Sequence, residues 1–199
     1  VRRSLVTWTI VILGMALSLI AAAASPLLAW REPVYIAAGF AGVVSMCLLL
    51  MQPLLAGRLL PGLAPVTSRR WHRWCGLMLV AAILIHVGGL WITSPPDVFD
   101  ALLFVSPTPF SAWGVIAMWA AFGAAFLGLF RKRLGLRFRV WRLAHASLAI
   151  ITILGSIVHA LLIEGTMEVM TKWALCGLVV LASVTTLAKV RIWDIRRPS

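Results

Sequence analysis

The stretch RRWHRWCGLMLVAAILIH, residues 69–86, and its companion HASLAIITILGSIVH, residues 145–159, decide how this chain folds. Between them they hold His72, His86, His145 and His159, the four histidines of a 199-residue chain. His72 and His86 are separated by the same interval as His145 and His159, with mostly apolar residues between. That interval, fourteen positions, rises about 21 Å along an α-helix and turns it close to four whole times. Both histidines of a pair therefore face one way, at two depths. Runs this long and apolar are expected to cross a membrane as helices.

The rest of the chain fits that setting. It is 62% hydrophobic and 12% charged, with a mean hydropathy of +1.00, which excludes an ordinary soluble domain. Six apolar runs, near residues 5–24, 34–51, 71–92, 110–130, 143–163 and 173–188, predict an all-α polytopic membrane protein. This is a six-transmembrane-helix bundle that takes up residues 1–199 as a single domain. The first run is long for a cleaved signal and reads as a signal anchor. Pro53, Pro61 and Pro65 break the link after the second run. Val98 to Val105 reads as a short helix at the surface. No internal repeat is visible. Cys47, Cys75 and Cys176 are far apart, without a CxxC, and suggest neither disulfide nor zinc.

Charge sets the orientation. When the loops are assigned alternately to two sides, one side receives 16 of the 18 Lys and Arg residues. The other receives Arg31 and Lys172, with five of the six acidic residues. The positive-inside rule makes the basic side cytoplasmic and places both termini there. The formal charge of +12 is thus a topology signal in short loops, and a nucleic-acid partner is not expected. Trp30, Trp71, Trp74, Trp91, Trp141, Trp173 and Trp193 fall near span ends, as an interfacial belt in contact with membrane lipid would. Trp119 falls mid-span.

Ionisable residues inside a bilayer mark function. The two histidine helices are separated by one span, so they run in the same direction. His72 is then level with His145 near the cytoplasmic side, and His86 with His159 toward the outside. Each matched pair can clamp a flat ligand from both faces. Axial histidine pairs suit haem iron, so the expectation is two haems with all four histidines as iron ligands. One haem is the alternative, because His72 sits at the membrane edge. Zinc would need four ligands converging on one point. A proton relay lacks intramembrane Asp or Glu. Gly76, Ala82, Ala149 and Gly155 each lie one helical turn from a histidine. They either clear a flat face for a porphyrin or serve plain helix packing. Arg69, Arg70, Arg73 and Arg142 on the inside, and Arg31 or Lys172 outside, could pair haem propionates or act as topology determinants alone. The basic link 131–142 either docks an acidic protein or lies on anionic lipid.

Trp71-His72-Arg73 through Ile85-His86, with His145 and His159 on the next-but-one helix, resembles the ferric reductase-like transmembrane domain. That family includes ferric-chelate reductases, NADPH oxidases and the haem subunit of a periplasmic methionine sulfoxide reductase. The resemblance implies two b-type haems and electron flow from the cytoplasm outward. Members with full enzyme activity carry a flavin and nicotinamide domain after the last span. No such domain, and no GxGxxG loop, is expected here. A separate cytoplasmic flavin reductase or a quinol would then supply electrons. A ferric chelate, oxygen or a periplasmic redox protein would receive them, with residues 93–109 as the contact. The reading is an electron-transfer component of an oxidoreductase in a bacterial inner membrane, with no catalytic acid, base or nucleophile of its own. The alternatives are a quinol-oxidising cytochrome b anchor subunit and a cofactor-free transport or assembly protein.

Overall fold

The structure, a computed structural model, describes residues 2–190, with the side chains of Arg2 and Arg3 left aside. Trp193, Asp194 and the tail arginines Arg191, Arg196 and Arg197 lie outside the described residues. The regular elements are helices: α1 (Arg2–Ala23), α2 (Pro33–Ala56), α3 (Pro65–Thr93), α4 (Pro95–Leu102), α5 (Pro109–Leu129), α6 (Phe138–Leu162) and α7 (Val169–Val190). All but α4 are long and apolar enough to span a membrane.

The prolines start helices more often than they break them. Pro33, Pro65, Pro95 and Pro109 each stand at the first position of a helix, where no intrahelical N–H bond is lost. Pro53 lies inside α2, which continues to Ala56. The link between the second and third spans is therefore only 57–64, shorter than the proline content suggests. α3 begins at Pro65, well before Trp71. His72 consequently lies two turns inside a helix. The short surface helix falls at Pro95–Leu102, where Val98 is buried and Phe99 rests on Trp91 at 4.6 Å between ring centroids.

α2 is the most enclosed helix, packed by α1, α3 and α7. Leu50, Leu55, Leu175 and Val179 form the tightest part of the core there. Side chains tie the backbone at the same places. Ser68 donates to the Leu55 carbonyl at 2.7 Å, and Thr186 of α7 to the Pro53 carbonyl at 2.8 Å. The architecture that matters for the site is two antiparallel hairpins, α2–α3 and α5–α6, each closely packed within itself. α3 touches α5, but α3 and α6 make at most marginal contact. The two histidine helices face each other across a gap.

Candidate functional site

Histidine rings bridge that gap at two levels. The rings of His72 and His145 stand 6.3 Å apart between centroids, with planes at 74°. Those of His86 and His159 stand 6.4 Å apart at 78°. All four side chains are half-buried. Among the described residues no three His, Cys, Asp or Glu side chains converge, so the histidines meet in twos.

Each imidazole is held from behind by a backbone carbonyl of its own hairpin. His86 Nδ1 lies 2.7 Å from the Ala38 oxygen, and His72 Nδ1 lies 3.3 Å from that of Gln52, both on α2. His159 Nδ1 lies 2.9 Å from the Phe110 oxygen, and His145 Nδ1 lies 3.0 Å from that of Ala124, both on α5. A carbonyl can only accept, so Nδ1 carries the proton and donates in all four cases. Nε2 then keeps its lone pair, as a ligating histidine requires. The carbonyl oxygen has a second lone pair, so the helix bond it already accepts is not forfeited.

That contact needs clearance. One turn beyond the accepting carbonyls stand Gly42, Ala56, Gly114 and Gly128. A Cβ at Gly114 would lie 2.7 Å from His159 Nδ1, and one at Gly42 would lie 3.1 Å from His86 Nδ1. At Gly128 the nearest imidazole atom would be 4.0 Å away. The three carbonyls followed by glycine bond at 2.7–3.0 Å, and the one followed by alanine at 3.3 Å. The acceptor carbonyls are not apparent in the sequence, yet small residues on α2 and α5 recur at the same interval as the histidines on α3 and α6.

This recurrence relates the contact positions of the two hairpins to one another. Phe110, Gly114 and Ala124 occupy in the second hairpin the places of Ala38, Gly42 and Gln52 in the first, at one constant offset in number. His145 and His159 follow His72 and His86 at an offset larger by a single position. The hairpins α2–α3 and α5–α6 thus carry the same pattern of contact positions, running in the same order along the chain. Their helices share apolarity and these contact positions rather than a continuous run of matching residues, so similarity between them does not stand out in the sequence.

Other residues fall differently from the sequence reading. A Cβ at Gly155 would lie 3.0 Å from Ala117 Cβ and from the Trp113 oxygen, so this glycine lets α6 approach α5. Ala82 is buried in the core around α2, and Gly76 faces the Gln52 amide. These small residues serve helix packing that brings the rings within reach of the carbonyls. Arg69, Arg70 and Arg73 are exposed, and Arg31 lies over the Tyr35 ring. Lys172 is buried, and its ammonium donates to the Ile163 carbonyl at 2.8 Å. Trp141 does not join a lipid-facing belt but turns inward onto His145, ring over ring at 5.5 Å and 12°.

The family described as "Ferric reductase like transmembrane component" matches residues 38–156, more than half of the chain. The chain belongs to this family. The match opens at the carbonyl partner of His86 and spans both hairpins up to the last turns of α6, with His159 just beyond its end. Membership gives the chain its class: a multi-pass transmembrane electron-transfer component of an oxidoreductase, in a family that is generally haem-binding and works with redox partners. No curated protein and no solved structure matches the chain.

Proposed function

We propose that this protein is a b-type cytochrome of a bacterial inner membrane with two haems, one held by His72 and His145 and one by His86 and His159. Electrons pass from a cytoplasmic-side donor, a separate flavin reductase or a quinol, to an extracytoplasmic acceptor such as a ferric chelate, oxygen or a periplasmic redox protein. The observation that carries this reading is the set of four imidazoles, paired at two depths, each with Nδ1 turned to a carbonyl.

The residues fit the group. Two metal–nitrogen bonds of about 2 Å each, plus the half-widths of two imidazoles, bring ring centroids about 6 Å apart, against the 6.3 and 6.4 Å found. Haem iron supplies reversible one-electron chemistry when bound. The chain's own part is to hold the ligands and exclude water. The Nδ1–H···O bonds fix each ring's orientation and raise the basicity of Nε2. The apolar helices keep the site dry. His72 and His86 lie at equal distances either side of Leu79, the midpoint of α3. That distance, seven positions, rises about 10 Å, within the roughly 15 Å half-thickness of a hydrocarbon core, so a centred α3 takes both histidines inside the membrane. The basic residues of 57–70 and 131–142 then lie toward the cytoplasm, and Arg73 reaches that side only by extending its side chain along the helix.

The test is haem stoichiometry in detergent-purified protein, by pyridine haemochrome. Two haems b per chain are expected, falling to one in His86→Ala, His159→Ala, His72→Ala and His145→Ala. Protein without a Soret band, or with one haem that survives His72→Ala, would overturn the assignment. Reduction by added quinol or by a cytoplasmic flavin reductase then separates the two kinds of donor.

A further inference from the structure

The two hairpins differ beside His145. Trp141 lies one turn before it on α6, and its indole is nearly parallel to the imidazole. Its Nε1 donates to the Leu127 carbonyl at 2.8 Å. The guanidinium of Arg131 covers the indole at 4.5 Å, and Phe138 stacks beside it at 6.0 Å. In the first hairpin the place of Trp141 is taken by Ser68, by the offset that relates His145 to His72. The place of Leu127 is taken by Leu55, by the offset that relates Ala124 to Gln52. Ser68 makes the same side chain-to-carbonyl bond. Anchoring the two helices thus requires only a hydroxyl. The indole adds something the helix pairing does not need: a rigid plane on an imidazole, with a cation over that indole. Among the described residues His145 is the one histidine lying parallel on an aromatic ring.

We propose that Trp141 and Arg131 are positioning residues that make the His72–His145 site electronically unlike its twin. Trp141 locks the plane of the His145 imidazole, and Arg131 places a positive charge behind that ligand. This rests on the two-haem reading above. A nearby cation favours the state with one positive charge fewer, so Arg131 raises the tendency of this site to hold an electron. Arg131 is exposed, so the effect is damped by water and reduced by salt.

The test uses the purified full chain with its haem. Redox titration of Arg131→Gln is expected to shift one of two midpoints downward by a two- to tenfold change in the oxidised-to-reduced ratio, tenfold being about 59 mV for one electron. The shift should shrink at high salt. Trp141→Ser, which restores the hydroxyl anchor of the first hairpin, should keep both haems but alter the low-spin ferric EPR signal of that site, which reports the angle between ligand planes. Trp141→Phe keeps a stacking ring and should retain the signal. Unchanged midpoints in Arg131→Gln, or an unchanged EPR signal in Trp141→Ser, would refute the inference and leave the haem assignment standing. Wild-type protein without haem would refute both.

Discussion

Gly114→Ala is the sharpest probe of the contact between imidazole and carbonyl. A methyl at that position would sit 2.7 Å from His159 Nδ1 and 2.9 Å from Cε1. Ordinary contact begins near 3.4 Å, so the ring must retreat by about 0.7 Å. Retreat stretches the 2.9 Å bond to the Phe110 carbonyl beyond hydrogen-bonding range. Overpacking costs roughly 1–3 kcal/mol, and an orphaned buried donor about as much. Together they reach roughly 2–6 kcal/mol, or about a thirty- to more than ten-thousand-fold weaker hold on a ligand at the outer pair. The same argument grades its relatives. Gly42→Ala, with 3.1 Å of room beside His86, asks the ring to give by a few tenths of an ångström and should cost less. Gly128→Ala, with 4.0 Å beside His145, should cost almost nothing. Haem per chain and thermal melting of each variant provide the assay. The expected order of haem loss is Gly114→Ala, then Gly42→Ala, then Gly128→Ala, and melting temperature should fall in the same order. Equal loss in Gly114→Ala and Gly128→Ala, or full retention in Gly114→Ala, would show that the carbonyl contacts do not govern the site.

Two further outcomes concern the scaffold. Leu175→Ala empties part of the core between α7 and α2, where the side chain is fully buried; a loss of about 2–5 kcal/mol is expected, read as a lower melting temperature with haem content conserved in the surviving fold. Glu168 accepts from the Met170 and Thr171 amides at the start of α7, with the Thr171 bond the larger cause, and these hold its carboxyl below the usual glutamate range. Its contribution is therefore present above the unfolded-state pKa and fades as pH falls through the lower folded value, so wild type and Glu168→Gln should differ in melting temperature at neutral pH and converge in acid.

The membrane class and the six spans are legible because hydropathy and loop charge act over whole segments. Span ends are less so. Pro53 and Pro65 both look like breakers in a sequence, but one sits inside α2 and the other starts α3. The histidines stand out because ionisable residues are rare in apolar runs. Their carbonyl partners cannot, because every residue has a carbonyl; only the glycines one turn on carry a trace of the contact. Trp141 is hidden for a different reason. A tryptophan at a span end ordinarily marks the lipid interface, and nothing local to the sequence says that this one turns inward.

Each hairpin supplies one histidine to each level, and the two levels are not alike. The departures from equality fall on the same pair. Ala56 stands where the other three positions have glycine, and the His72 bond is the longest of the four at 3.3 Å. Trp141 stands where the first hairpin has Ser68, and brings Arg131 with it. A weaker Nδ1–H···O bond leaves the imidazole a poorer donor to the metal, which favours the reduced state, and so does the cation. The outer pair, bonded at 2.7 and 2.9 Å, is pushed the other way. On the proposed two-haem reading, both effects would make the His72–His145 site the higher-potential one. On that reading, outward transfer would run against the intrinsic gradient between the sites. An energised membrane, negative inside, assists it by up to about 2.3 kcal/mol per charge per 100 mV over the full thickness. Titration of His86→Ala and His72→Ala proteins, each retaining one haem, assigns the midpoints. The haem that remains in His86→Ala should titrate higher than the one that remains in His72→Ala, and the reverse order would show that the carbonyl distances and the Arg131 charge do not set the potentials.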